Sequence, residues 1–384
     1  MKKLYLDNAA TTPVDEKVVK VVNEFMSEKF GNASSPHSLG REARDAIESA
    51  REKIAKQINA NPDEIIFTSG GTESNNLALR GLALANPDKK HIITSNIEHP
   101  SVLEVCKMLE KYGFKIDYIP VNKNGIINPK DVEKKITDQT LLVSIMHVNN
   151  EIGTIQPLEE IGKICKQKNV PFHSDCVQSF GKLDIDVKKL NLRLLSVSGH
   201  KINAPKGVGF LYVKKGVDIK PLFVGGGHEN GLRSGTENSA GIIGLATALD
   251  IERNKQETKK IRDYLIKEIL KIPGTQLNGD KEKRIYNNIN ISFYGIEGES
   301  ILLILDQAGI YVSTGSACSS HKLQESHVLK AIKVPDLYIH GSLRLTIDRL
   351  TKQEADYVIE QIKQAVEKLR KISPFKFKAS ATQN

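Results

Sequence analysis

No stretch of the chain approaches the ~20 consecutive apolar residues that a membrane-spanning helix needs. Ile301-Leu302-Leu303-Ile304-Leu305 is about as apolar as it becomes, so no membrane partner is expected. The start, Met1-Lys2-Lys3-Leu4-Tyr5-Leu6-Asp7, turns polar too soon for the apolar region of a signal peptide, and a cytoplasmic location is expected. Cysteine is scarce: Cys106, Cys165, Cys176 and Cys318 form no C-x-x-C pair, which excludes a zinc knuckle or a thioredoxin-type centre. Ten histidines show no H-E-x-x-H spacing, so no metal site is expected. Neither G-x-x-x-x-G-K-[ST] nor G-x-G-x-x-G occurs, which disfavours nucleotide cofactors. Aromatic residues make up only 5% and do not interleave with the basic ones, as a single-strand binding surface would require. The net charge of +9 therefore reads as a solubility feature without direct nucleic-acid contact, and it is compatible with an acidic protein partner.

What is present is an ordinary globular composition, 39% hydrophobic and 26% charged, spread over 384 residues. That length exceeds what one core normally carries, so two domains are expected. Short apolar runs (Ile65-Ile66-Phe67, Ile92-Ile93-Thr94, Ile116 to Ile119, Leu141 to Met146, Pro171-Phe172, Leu194 to Val197) mostly alternate with helical patterns. One such pattern carries Ala43, Ala46, Ile47, Ala50, Ile54 and Ile58 on one face. This alternation predicts an α/β domain with a mostly parallel central sheet, functional at the carboxyl ends of its strands. A long helical pattern is expected from Asn238 through Ile251 to Leu270, with a change of texture after it. The last helix opens on a capping box, Thr351-Lys352-Gln353-Glu354. The expected division is a large α/β domain over 15–256 and a smaller α+β domain formed by 257–384 with 1–14. The tail after Pro374 reads as polar and loose.

Chemistry concentrates at strand ends. Leu194 to Ser198 is an apolar run that breaks at Gly199 and ends in His200-Lys201, and 26 residues before Lys201 a short strand ends in His173-Ser174-Asp175. A strand-end lysine and a strand-end aspartate are what a pyridoxal 5'-phosphate site needs. The amine forms the Schiff base, and the carboxylate keeps the pyridine nitrogen protonated. Thr68-Ser69-Gly70-Gly71-Thr72-Glu73-Ser74 leads from a strand into a helix, where glycines and free N–H groups admit an anion and Thr72 is expected to cap. His99, in Glu98-His99-Pro100-Ser101, is placed to stack on a ring and to move protons near neutral pH. Asn149, Asn150 and Gln178 offer amides for the cofactor's phenolate oxygen.

Taken together, these motifs resemble the NifS/IscS-type cysteine desulfurases of the class V aminotransferase superfamily. The resemblance runs from Tyr5-Leu6-Asp7-Asn8-Ala9-Ala10-Thr11-Thr12-Pro13 to the last helix. It rests on Phe67 to Glu73, on His147-Val148-Asn149-Asn150-Glu151-Ile152-Gly153 and on Ser198-Gly199-His200-Lys201. Arg233-Ser234-Gly235-Thr236-Glu237-Asn238 and Gly315-Ser316-Ala317-Cys318 complete it. It implies the fold of the pyridoxal-phosphate-dependent transferases, aminotransferase fold type I. It also implies that Lys201 holds the cofactor, Asp175 pairs with the pyridine nitrogen and His99 stacks on the ring. Asn150 and Gln178 would flank the cofactor, with Gly71, Thr72, Ser198 and His200 around its phosphate. Thr236 would reach the phosphate of the other subunit in a homodimer. Arg344, in Gly341-Ser342-Leu343-Arg344-Leu345, would take the substrate carboxylate in a bidentate fork, beside Asn150.

The expected reaction converts L-cysteine to L-alanine and leaves a persulfide on Cys318. Lys201 acts as the base at Cα and His99 as an acid–base partner. Cys318 lies in a run of small polar residues, Ser313 to Ser320, suited to an exposed attacking thiol, whereas Cys106, Cys165 and Cys176 read as packing. The sulfur acceptor would be an iron–sulfur scaffold or a protein of tRNA or cofactor thiolation. A selenocysteine lyase or a class V aminotransferase is the alternative among enzymes. An assembly platform that only holds the cofactor is the alternative among non-enzymes. Three positions depart from the family pattern: Asn230 where arginine is frequent, Glu325 in place of a common proline, and Asp348 before Arg349.

Overall fold

In the computed structural model, which describes residues 3–314, 325–375 and 377, the apolar runs become strands in the expected order. After a two-residue strand β1 (Leu4–Tyr5) come β2 (Ile65–Thr68), β3 (His91–Ser95), β4 (Lys115–Ile119), β5 (Thr140–Ser144), β6 (Phe172–Asp175), β7 (Leu194–Ser198) and β8 (Gly209–Val213). The last seven form one sheet in the order β2-β8-β7-β6-β5-β3-β4. Only β8 runs against its neighbours, pairing antiparallel with both β2 and β7. Its direction follows from the connection before it. The ten residues between Ser198 and Gly209 are too few for the dozen or more that a parallel crossover needs. Lys201 lies in that short connection.

Side chains alternate across the sheet with period two, and each face has its own core. Ile65, Phe67, Leu195 and Val197 pack with Ala43, Ile47, Ala50 and Ile54 of helix Ser38–Gln57. Ile66 and Leu194 point the other way, toward Leu77, Leu82 and the helix Pro100–Lys111, through Val102, Val105 and Leu109. Each fully buried Ile or Leu contributes roughly 1.5–3 kcal/mol, which makes the strand register costly to shift.

A further core forms around β9 (Thr275–Leu277), β10 (Asn288–Phe293), β11 (Ile310–Tyr311) and β12 (Ser342–Thr346). β10 is the centre of an antiparallel trio, while β11 pairs in parallel with β1 and brings Leu4 and Leu6 into this core. The N-terminal arm then crosses to the large sheet, where Thr12 N–H and Oγ1 both donate to the His200 carbonyl at 2.9 Å.

The pattern from Asn238 to Leu270 is not one helix. It divides into Ser239–Thr247, a short 3-10 turn, and Lys255–Ile269. Ile251 is extended, and Asn254 accepts Glu257 N–H to cap a new start. The capping box of helix Lys352–Ile372 is formed in both directions. Just past it, Ser373 Oγ donates to the Gly295 carbonyl at 2.5 Å and Phe377 packs edge-on against Tyr294 at 5.4 Å. The start of the tail is thus tied down on one side by Ser373 and on the other by Phe377, an aromatic contact that a reading of it as polar overlooks; the rest of the tail lies outside the described residues.

Candidate active site

The carboxyl ends of β2, β6 and β7 open on one cavity of 240 Å3. Asp175 is the last residue of β6, and Ser198 the last of β7, followed directly by the 3-10 turn Gly199–Lys201. Nine of the residues singled out from the sequence line this cavity: Gly71, Thr72, His99, Asn150, Asp175, Gln178, Ser198, His200 and Lys201. Three do not. Thr236 is exposed elsewhere on the surface. Arg344 lies behind Asn150, and Cys318 falls outside the described residues.

Lys201 is oriented by the N-terminal arm: its Nζ donates to the carbonyls of Ala9 and Ala10, each at 2.7 Å. Gln178 uses the same Ala9 carbonyl, donating from Nε2 at 3.0 Å. Its Oε1 faces Lys182 Nζ at 3.5 Å, and burial followed by the charges of Lys201 and Arg253 pushes this 4% exposed lysine down to about 7. Asp175 is buried, with Oδ1 accepting Val177 N–H at 3.0 Å and Oδ2 accepting Asn75 Nδ2 at 2.8 Å. His200 is pushed down to about 4 by burial and then by Lys201, and its Nδ1 meets Thr11 Oγ1 at 3.1 Å. Burial also lowers His99, against the pull of the Asp175 charge.

Thr72 does not cap its helix. Gly70 is the N-cap, at φ 149°, a backbone region that glycine enters freely, and Thr72 sits in the first turn with its side chain exposed at the cavity. Gly71 also permits a close approach, because a Cβ there would come within 2.7 Å of Val177 Cγ2. The N–H groups of this first turn have no partner within the helix, so an anion suits them. Hydroxyls and an imidazole stand beside them, a carboxylate lies on β6, and an amine lies on the turn after β7. This donor set fits a ring-bearing phosphate ester with a basic ring nitrogen.

The neighbouring amides Asn149 and Asn150 diverge. Asn149 is buried in structural work, donating to the Ile97 carbonyl and accepting Glu151 and Ile152 N–H, so only Asn150 faces the cavity. Arg344 is engaged as well: Nη2 meets Asp7 Oδ1 at 2.8 Å, Nη1 donates to the Asn150 carbonyl at 3.0 Å, and Nε is buried without a partner among the described residues. Asp7 was not singled out from the sequence; it precedes the Ala9–Ala10 carbonyls on the arm, and only the tertiary crossing reveals it. Asn75 and Ser101 were missed too. Asn75 lies three positions after Thr72 on one helix, a spacing that puts side chains on one face, and Ser101 is two residues after His99, the N-cap whose ring accepts the Ser101 N–H.

The departures have local partners. Asn230 takes φ 56°, a left-handed conformation that Asn tolerates better than Arg. Glu325 pairs with His340 at 3.0 Å and with Lys330. The Asp348 charge acts on Lys182 and Arg253.

Among known proteins, the family model described as aminotransferase class-V matches residues 4–355. The chain belongs to the aminotransferase class-V family. This class-V chain is 52% identical over 383 residues to a protein of Dictyoglomus turgidum named cysteine desulfurase IscS, covering 98% of this chain and 97% of that one. A solved structure of a NifS-like protein superposes with a TM-score of 0.90 at 40% identity, over 96% of this chain and all 100% of the other. A second, described as SspA in complex with cysteine, gives a TM-score of 0.82 at 37% identity, over 90% of this chain and 99% of that one. The mostly parallel sheet with helices on both faces is that of the fold type I aminotransferases.

Glu151, in the same class-V motif as Asn150, gives a pH-dependent signature. It is buried, accepts Ser326 Oγ at 2.5 Å, and burial pushes it up to about 7. Folding therefore favours its protonated form. Its contribution to stability is complete below the ordinary carboxylate value and is lost as pH rises toward 7. Glu151→Gln is expected to remove this loss, so that urea midpoints of variant and parent diverge in the variant's favour from pH ~4.5 to ~7, by roughly 2–4 kcal/mol.

Proposed function

We propose that this chain is a pyridoxal-phosphate-dependent cysteine desulfurase that moves the sulfur of L-cysteine onto Cys318 and releases L-alanine. The observation that carries the reading is the convergence of Lys201, Asp175, His99 and the Gly71–Thr72 turn on one cavity. The 52% identity to a protein named cysteine desulfurase, and a solved relative described with cysteine bound, support the substrate.

Pyridoxal phosphate, when bound, supplies an electron sink that loosens the bonds at Cα of an amino acid. Lys201 would hold it through Nζ, and its free amine would take the Cα proton of the substrate. Asp175 keeps the ring nitrogen protonated through its carboxylate. The Gly71 and Thr72 N–H groups, with Ser198 and His200, would bind the phosphate; Gln178 and Asn150 would take the phenolate oxygen, and His99 would contact the ring. Arg344 binds the substrate carboxylate, its fork already oriented by Asp7 and the Asn150 carbonyl. The Cys318 thiolate attacks the substrate Sγ, so an S–S bond forms as the C–S bond breaks, and the product takes up one proton at Cβ and regains one at Cα from Lys201 to leave as alanine.

A homodimer completes the site in this reading, because Thr236 is exposed and away from its own cavity, which suits contact with the partner's phosphate. The acceptor of the persulfide sulfur would be an iron–sulfur scaffold or a thiolation protein. A cytoplasmic setting accords with three free, buried cysteines among the described residues. The test is direct. Purified protein given pyridoxal phosphate should gain a visible absorption band that changes on adding L-cysteine, with alanine formed in step. An unchanged spectrum, or products that require a keto acid, would overturn the reading.

A further inference from the structure

Along the cavity wall, a chain of hydrogen bonds joins Asp175 to His99 through two side chains that the reaction does not consume, with the Asn75 amide donating to both sides. An ionised carboxylate only accepts, so the Asn75 amide must turn its nitrogen toward it. Both amide hydrogens are then placed: Asn75 Nδ2 lies 2.8 Å from Asp175 Oδ2 and 2.8 Å from Ser101 Oγ. The reverse orientation would set Asn75 Oδ1 against the carboxylate; as it stands, that buried oxygen has no partner among the described residues.

Having accepted from Asn75, the Ser101 hydroxyl retains its own proton for His99 Nδ1 at 2.8 Å. The Ser101 backbone N–H reaches the same ring nitrogen at 3.1 Å. A nitrogen facing two donors carries no proton, which leaves the imidazole hydrogen on Nε2. We propose that Asn75 and Ser101 are positioning residues that relay the acceptor character of Asp175 to His99 and hold its ring as the Nε2–H tautomer.

The charged or titratable groups acting on this ring are Asp175 from β6, Lys201 from the turn after β7, and His327 from the helix His327–Ala331. Burial outweighs them and keeps the ring neutral. In the desulfurase reading, on which this inference rests for its catalytic meaning, His99 therefore meets cofactor and substrate as a hydrogen-bond donor at Nε2. The lone pair that a base toward the thiol would need there is absent.

The experiment is nitrogen-15 NMR of histidine-labelled enzyme, with and without pyridoxal phosphate, using His99→Gln to assign the resonance. At neutral pH the parent should carry its proton on Nε2. Ser101→Ala removes the shorter of the two bonds donated to Nδ1 and so favours the neutral ring less. Its His99 midpoint should move upward, and kcat should fall about tenfold with KM little changed. Ser101→Thr, which keeps the hydroxyl, should restore both. Asn75→Ala should move the midpoint in the same direction, and adding it to Ser101→Ala should give less than the sum. A parent with the proton on Nδ1, or a Ser101→Ala midpoint equal to the parent's, overturns the proposal, and Ser101→Ala decides alone if Asn75→Ala does not fold. If the parent makes no alanine from L-cysteine, the desulfurase reading fails while the tautomer measurement still stands.

Discussion

Replacing Lys201 by alanine is expected to lower alanine formation from L-cysteine by about 10^4-fold or more, since one side chain serves as both covalent anchor and Cα base. The loss should be chemical and not structural. Lys201 is partly exposed at the cavity, where its Nζ donates to the Ala9 and Ala10 carbonyls, and it belongs to none of the hydrophobic cores. Lys201→Ala should therefore melt near the parent temperature. It should still bind pyridoxal phosphate, through Asp175 and the Gly71–Thr72 turn, but release it on dialysis. Added primary amines should restore a small part of the rate. A variant within tenfold of the parent would remove Lys201 from the reaction.

Cys318→Ser is expected to abolish persulfide formation and to reduce alanine release by about 10^3-fold, because a hydroxyl is neither ionised near neutral pH nor a comparable nucleophile toward sulfur. No other thiol among the described residues can take its place. Cys106, Cys165 and Cys176 are buried, and burial pushes each up to about 12. Alkylation after a single turnover, followed by mass spectrometry, should find the added sulfur on Cys318 alone. The substitution Cys106→Ala should leave the rate near that of the parent. Persulfide on one of the three buried cysteines would refute the assignment.

Much of the site was legible because it is local. Asp175, Ser198 and Lys201 stand at the ends of apolar runs whose strand character follows from period and composition, and a parallel sheet collects such ends on one edge. The glycines at 70 and 71 announced a turn, yet the same motif suggested the wrong role for Thr72. Periodicity does not locate a cap to within a residue, and the φ of 149° at Gly70 decided it. The pattern from Asn238 to Leu270 misled for a related reason. Helical spacing persists across the extended residues near Ile251, while the break depends on the local cap at Asn254.

Strand order along the chain, the amphipathic faces and the chemistry of each motif were written in the amino-acid sequence itself, since they depend on neighbours within a few residues. What only tertiary structure decided is who meets whom across long separations. The arm carbonyls of Ala9 and Ala10 orient Lys201, Asp7 claims Arg344, and Asn75 joins Asp175 to the histidine of another helix. Such contacts are set by the packing of separate cores and by the demand that every buried donor find an acceptor, and neither leaves a periodic mark in the chain.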